Sequence, residues 1–222
     1  MRENIIQAGA TKEDGRTYIP YDWYTSGMPG NITFETNVYI DTSYGFAAFH
    51  SEKQNAMRIG EGTGCYDRSS FITGKDGEIS IGSFTILNGT TIISNKKIEI
   101  GSHCMLAWGS VITDTWLPVY GNSVLNRQSI LKKASQHSNR MLSACSIPEP
   151  VILEDNCWIG FGSVILPGVR IGRGAIVGSK TIISQDVPPY AVIVGEPARI
   201  IKYLDADDTE EAKQHALKEY TK

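Results

Sequence analysis

The sequence predicts an all-β chain wound as a stack of triangular turns, and three observations carry that prediction. The 222 residues include 27 Ile and 11 Val against 10 Leu, together with 22 Gly, a composition suited to strands and tight corners. From residue 153 an aliphatic residue returns at every sixth position, as Leu153, Ile159, Ile165, Ile171, Val177 and Ile183. Four residues after each stands a mostly small side chain: Cys157, Ser163, Val169, Ala175, Thr181 and Val187. A period of six fits neither a 3.6-residue helix nor the two-residue alternation of a flat sheet. It fits a prism in which each hexad supplies one short strand and one corner, about 18 residues close a turn, and turns stack at roughly 4.8 Å by strand pairing.

The elements follow in chain order. Residues 1–31 carry no hexads; the stretch Tyr18 to Tyr24, with Pro20 and Trp23, is an aromatic cap over the first turn or a surface for an acceptor. The β-helix domain spans 32–204. Ile32, Val38 and Tyr44, with Thr36, Thr42 and Ala48, open it, and a weaker run follows through Ile59, Cys65 and Phe71. Ile81, Leu87 and Ile93 then precede Ile100, Leu106 and Ile112, with Thr85, Thr91, Cys104 and Ser110 as their small partners. One extra residue near Asn95-Lys96-Lys97 separates the two registers. Five or six turns are expected. Residues 117–150 lack hexads and hold Arg127, Lys132, Lys133, His137 and Arg140, so they form an excursion loop, and loops of that length in a compact fold are usually functional. Over 205–222, Asp208 with Glu211 resembles a capping box, and Ala212, Leu217 and Tyr220 share a face, which predicts a C-terminal helix flanking the last open turn.

Charge and cysteine usage narrow the function classes. With 21 Lys and Arg against 24 Asp and Glu, no basic excess exists to neutralise a phosphate backbone, and nucleic acid is not an expected partner. No apolar run approaches a membrane span, and the N-terminal residues lack the apolar core of a signal peptide, so a soluble, cytoplasmic chain without membrane insertion is expected. The four cysteines at 65, 104, 145 and 157 form no CxxC pair, and Cys104 and Cys157 fall at small interior positions.

Three segments carry a family resemblance: Asn156-Cys-Trp-Ile-Gly-Phe-Gly-Ser-Val-Ile-Leu-Pro-Gly-Val-Arg-Ile-Gly, Ile176-Val-Gly-Ser-Lys-Thr-Ile-Ile-Ser-Gln-Asp-Val-Pro-Pro-Tyr-Ala, and Gly195-Glu-Pro-Ala-Arg. They resemble the hexapeptide-repeat acyltransferases, closest to the sugar and xenobiotic O-acetyltransferase branch. The resemblance covers roughly residues 80–204. It implies a left-handed parallel β-helix, a homotrimer, and acetyl-CoA as co-substrate for transfer to a hydroxyl or amine of a sugar or sugar-nucleotide acceptor. No metal is expected. In such enzymes the pantetheine arm lies outside the C-terminal turns, between subunits. Carried across, Phe161 would line that groove, Ser179, Ser184 and Gln185 would offer polar contacts, and Arg199 and Lys202 would meet the nucleotide phosphates. Gln185 stands where many relatives place a cation.

Attack on a thioester needs a base, and relatives supply a His beside a Pro in the segment matching Ile112-Thr-Asp-Thr-Trp-Leu-Pro; here that slot is Leu117. A general base contributes about 10²–10⁴-fold, and positioning can supply more. Substitutes are His137 on the excursion loop, His50 after the aromatic stretch from Tyr44, and Asp114 if burial raised its pKa; a solvated loop, a turn and a corner are their respective structural readings. His103 occupies an ordinary corner, and His215 belongs to the tail. Asn88 lies near where relatives hold the acceptor hydroxyl. Trp116 and Trp108 flank that region, open to stacking on a sugar face or to packing between subunits.

Two other functions share this pattern. Metal-dependent hydration of carbon dioxide requires three converging imidazoles, and His50, His103 and His137 share no repeat spacing. A binding or scaffold protein that keeps the prism without its base is the stronger alternative.

Overall fold

The computed structural model describes residues 12–20, 22–116, 124–136 and 147–205, and over them the hexads wind into the expected left-handed parallel β-helix. Its first face stacks β1 (Ile32–Phe34), β3 (Met57–Ile59), β6 (Ile79–Ile81), β9 (Ile98–Ile100), β14 (Val151–Leu153) and β17 (Arg170–Ile171) in parallel. The second face stacks β2 (Tyr39–Ile40), β4 (Gly64–Tyr66), β7 (Ile86–Asn88), β10 (Met105–Leu106), β15 (Trp158–Ile159), β18 (Ile176–Val177) and β20 (Ala191–Val194). The third holds β5 (Ser70–Thr73), β8 (Thr91–Ser94), β11 (Val111–Thr113), β16 (Val164–Ile165) and β19 (Ile182–Ile183). Six turns result, in agreement with the hexad count.

Each face points one ladder of side chains inward. Ile59, Ile81, Ile100, Leu153 and Ile171 line the first, Ile40, Cys65, Leu87, Leu106, Ile159 and Val177 the second, and Phe71, Ile92, Ile112, Ile165 and Ile183 the third, all buried. The edges take the small partners. At the edge between the first and second faces, Thr63 Oγ1 donates to Gly82 O at 2.7 Å and Thr85 Oγ1 to Gly101 O at 2.8 Å; between the second and third, Ser163 Oγ donates to Gly178 O at 2.8 Å. A buried hydroxyl is satisfied this way at no cost in volume, which is why Thr and Ser suit positions that Ala would also fit.

Two sequence expectations shift register. Tyr44 is not an interior residue: it is exposed, and the inward series of the first turn is Phe34, Ile40 and Phe46, with Phe46 stacked on Phe71 at 4.8 Å. The whole series lies two positions later than Ile32, Val38 and Tyr44, at the same six-residue spacing; Asp22, which accepts from Ser43 N, Ser43 Oγ and Thr42 Oγ1, pins the short 3-10 turn at Ser43–Phe46 that ends it. Ile92, not Ile93, also faces inward, because the corner after Leu87 is one residue shorter than the next along the edge, Asn88-Gly89-Thr90-Thr91 against Ala107-Trp108-Gly109-Ser110-Val111, so the step from Leu87 is five residues.

The excursion leaves after β11 and is tied at its root. The short strands β12 (Thr115–Trp116) and β13 (Ile147–Pro148) pair antiparallel, and Glu149 N donates to Asp114 O at 2.7 Å. Within the excursion lies a helix that hexad reasoning passed over, α1 (Val124–Ser135). Its sequence contains no Gly or Pro and ends in Lys132 and Lys133, which complement the negative helix terminus. At the C-terminal end, β21 (Arg199–Tyr203) folds back antiparallel onto β20 and covers the open edge of the second face. The expected tail helix lies outside the described residues.

The outward ladders differ. The first face presents Thr33, Arg58, Ser80, Glu99, Ile152 and Arg170, laced by Arg58–Glu35, Lys97–Glu99 and Arg170–Glu154 pairs. The second presents Tyr39, Gly64, Ile86, Met105, Trp158 and Ile176 in unbroken register, with Ile86, Met105 and Trp158 exposed. Among the described residues no helix is long and apolar enough to cross a membrane.

Candidate functional site

The edge between the second and third faces gathers one group of candidate residues. Its corners sit directly on one another: Gly89 N donates to Tyr66 O, Gly109 N to Gly89 O, Gly162 N to Trp108 O, and Lys180 N to Phe161 O, at 2.8–3.0 Å. Side chains therefore form a column, with Trp108 and Phe161 half-exposed, followed by exposed Lys180. Beside it, continuing the pairing of the second face, Asn88, Ala107, Gly160 and Gly178 follow one another. Glycine is required there by the stacking: a Cβ on Gly160 would stand 2.6 Å from Ser179 N, and one on Gly178 2.6 Å from a Val194 methyl. The by-product is a bare track between the Trp108–Phe161 column and the Met105–Trp158 ladder. At its head the Asn88 Oδ1 is enclosed and has no hydrogen-bond partner. Ser179, exposed, lies near its foot.

The other cofactor candidates lie around the last turn. Ser184, Gln185 and Arg199 line one open groove of about 530 Å³, whose walls are Leu166, Ile182, Ile193, Pro197 and Ile200. Sequence reasoning missed two carboxylates there, Asp186 and Glu196; Asp186 Oδ1 accepts from Arg170 N at 2.7 Å. Arg199 Nη1 donates to Ala198 O at 2.9 Å. Lys202 is exposed on β21, opposite Val192, and does not line this groove. The six residues assigned to the cofactor thus fall into the track (Phe161, Ser179), the groove (Ser184, Gln185, Arg199) and the outer strand (Lys202).

His50, Asp114 and Trp116 stand on the opposite side, where the third face turns back to the first. His50 N donates to Thr73 Oγ1, Gly74 N to Ser94 O, and Ser94 Oγ to Asp114, so these residues mark successive turns of one edge. Trp116 is exposed at the root of the excursion. Asp114 does not suit the role of base. It is fully buried and its carboxylate accepts five hydrogen bonds: Ser94 Oγ, Lys96 N and Lys97 N at Oδ2, Asn95 N and Thr115 Oγ1 at Oδ1, at 2.6–2.9 Å. No lone pair is left for a substrate proton. Asp114 instead moulds the Asn95–Lys97 corner where the sequence shows its extra residue. His137 and Leu117 lie outside the described residues.

His103 holds the corner assigned to it, at φ 58° and stacked on Phe84 at 5.6 Å. The interior thiols offer no nucleophile. Cys65, Cys104 and Cys157 are all buried, out of reach of a substrate; burial also pushes the Cys65 thiol up, and Cys104 together with burial pushes Cys157 up, whereas the hydrogen bond with Cys157 draws Cys104 down. Among the described residues no group of three or more His, Cys, Asp or Glu side chains is placed to hold a metal.

Residues 150–185, the turns that carry Phe161 and the track, match the family model described as bacterial transferase hexapeptide (six repeats). The chain carries the transferase hexapeptide repeat. Over 112 residues it is 41% identical to a Schizosaccharomyces pombe protein bearing the provisional name of an acetyltransferase, a stretch that is 49% of this chain and 54% of that protein. Over 68 residues, 31% of this chain and 28% of the relative, it is 47% identical to the 2,3,4,5-tetrahydropyridine-2,6-dicarboxylate N-acetyltransferase of Staphylococcus aureus. The chain thus spans about half or less of these relatives. Among solved structures, a hexapeptide-repeat acetyltransferase of Vibrio cholerae complexed with acetyl-CoA aligns with TM-score 0.53 and 24% identity, over 72% of this chain and 74% of that one. A single-site mutant of the Bacillus cereus N-acyltransferase AntD, complexed with dTDP-4-amino-4,6-dideoxyglucose and CoA, aligns with TM-score 0.59 and 18% identity, over 87% of this chain and 88% of that one. At these identities the hexapeptide-repeat structures share the fold.

Proposed function

We propose that this protein is an acyl-CoA-dependent acyltransferase that moves an acetyl group to a hydroxyl or amine of a sugar or sugar-nucleotide acceptor. The observation that carries this reading is the coincidence of the transferase repeat, residues 150–185, with the turns that build the bare track. The track suits a thin, flexible arm: its floor is backbone, and its walls are Phe161 and Trp108 on one side and Trp158 and Met105 on the other. Apolar walls with few polar groups are the usual lining of such sites.

Transfer proceeds by direct attack. The acceptor oxygen or nitrogen bonds to the thioester carbon, the carbon–sulfur bond breaks, and the acceptor proton ends on the departing thiol. The burial of Cys65, Cys104 and Cys157 argues against a covalent acyl-enzyme on any of them. The two sets of candidate residues occupy different edges of one prism, so a single copy does not join them. A homotrimer packed through the apolar ladder of the second face would set the Asn88–Trp108 edge of one subunit toward the excursion root of the next, with His137 or His50 as base. Cytoplasmic residence is part of the same proposal.

The test is calorimetry with acetyl-CoA, followed by thiol release on a panel of sugars, amino sugars and their nucleotides. Binding that Phe161→Ala weakens about tenfold, with turnover on one acceptor class, is the expected outcome. Absence of binding at millimolar acetyl-CoA would remove the proposal, and binding without any turnover would favour a scaffold.

A further inference from the structure

We infer that Trp108 is a stacking platform for a ring-bearing acceptor, and that Asp67 is the residue that positions it. The inference rests on the acyltransferase reading and names the acceptor subsite within it. Trp108 is 53% exposed, yet it is held on two sides. Its Nε1–H donates to Asp67 Oδ2 at 2.7 Å, and its Cδ1 would lie 3.1 Å from a Cβ on Gly89, so the indole rests against a glycine that leaves it room. Asp67 reaches it from two turns away along the same edge, across Gly89. An exposed tryptophan normally keeps its rotamer freedom; a carboxylate on the indole nitrogen removes that freedom before any ligand arrives, which is the use of preorganisation in binding.

What the platform faces gives the ligand its chemistry. The exposed indole face would take the apolar face of a pyranose ring, leaving the hydroxyl or amino groups on the rim of that ring free to meet the thioester. The nitrogen of Trp108 is already occupied by Asp67, so the indole recognises shape through its face. The sequence contains a second candidate, Trp116, but its strand places it at the excursion root on another edge.

The backbone at Asp67 supplies a clean variant. Asp67 lies at φ 50°, where glycine is unstrained, so Asp67→Gly removes the carboxylate without twisting the corner, while Asp67→Asn keeps an acceptor oxygen and tolerates the same φ. Asp67→Gly is expected to raise the KM for the sugar acceptor about five- to tenfold, with kcat and the KM for acetyl-CoA within twofold of the parent; Trp108→Ala is expected to raise the acceptor KM at least as much and to weaken acetyl-CoA as well, because its ring is also a wall of the track; Asp67→Asn restores the parent KM. In protein labelled with 5-fluorotryptophan, the Trp108 fluorine resonance, assigned by its loss in Trp108→Phe, shifts on titration with glucosamine and galactose, each to 100 mM. Unchanged acceptor KM in both Asp67→Gly and Trp108→Ala, or a Trp108 resonance that neither sugar moves while acetyl-CoA still binds, overturns the inference. Failure of the parent protein to bind acetyl-CoA would instead strike the acyltransferase reading.

Discussion

Replacing Asp114 separates a structural carboxylate from a catalytic one. In Asp114→Ala three backbone N–H groups, on Asn95, Lys96 and Lys97, lose partners at 2.8–2.9 Å, and the hydroxyls of Ser94 and Thr115 lose theirs at 2.8 and 2.6 Å. Hydrogen bonds to a charged group are each worth about 1.5–3 kcal/mol, but five around one carboxylate do not add. The corner is partly open, so water re-solvates some of the amides and the hydroxyls turn elsewhere. Counting the three backbone donors at roughly 1–1.5 kcal/mol each gives about 3–5 kcal/mol, the range for breaking a buried charged network. Asp114→Asn keeps one acceptor oxygen and is expected to cost about half of that. The assay is urea unfolding at fixed protein concentration, joined to hydrogen exchange over residues 94–116. Exchange there should accelerate in both variants before the rest of the prism loosens, and the residual folded protein should keep kcat within about threefold. A variant as stable as the parent but devoid of transfer would refute this reasoning and return Asp114 to the role of base.

Other consequences follow from the packing. Ile159→Ala, at a fully buried position in the middle of the second face, is expected to destabilise by about 2–5 kcal/mol in the same unfolding assay. Cys65, Cys104 and Cys157 are buried and should resist an aromatic disulfide reagent in the folded protein, each becoming reactive only on unfolding, as read by mass spectrometry of labelled peptides. Met105→Glu, in the exposed apolar ladder of the second face, should lower the sedimentation mass toward the monomer while leaving the far-ultraviolet spectrum unchanged. At Asp22 burial alone would raise the carboxyl, but hydrogen bonds from Ser43, Tyr24 and Thr42 outweigh it and hold the folded pKa below the ordinary value. That stabilisation is therefore present above about pH 3.9 and is lost as pH falls through the lower folded value. Exchange of the Ser43–Phe46 amides should rise over that acid window in the parent, and should be fast and nearly pH-independent of this step in Asp22→Asn.

The prism was legible because its period is a property of the interior. A column one residue wide admits aliphatic side chains at one position per strand and small ones at each corner, so Leu153 to Val187 announces itself without help from any contact. Where a corner departs from the common length the reading slips, as the short corner Asn88-Gly89-Thr90 exchanges Ile93 for Ile92. In the first turn the slip has another origin: Ile32, Val38 and Tyr44 keep the same period as Phe34, Ile40 and Phe46, and the period alone does not choose between two parallel series that both hold apolar residues. The helix at Val124–Ser135 escaped because its residues belong to no hexad, and absence from one pattern was read as absence of structure.

The site was less legible for a different reason. A six-residue period says which side chains face outward but not which of three edges they occupy, and edge membership is the quantity that decides whether two candidates can meet. It accumulates along the chain: every corner that gains or loses a residue changes the offset of all that follows, so Asn88 and Asn95, seven positions apart, finish on different edges. Once register is known, the outward ladders sort themselves by chemistry. Arg58, Glu99 and Arg170 make a face at home in water, whereas Ile86, Met105 and Trp158 make one that is costly to leave there. The bare track runs along the border of that apolar face, beside its last polar residue, Asn88, and a second copy seated on the ladder would turn the track from an open furrow into a walled cleft.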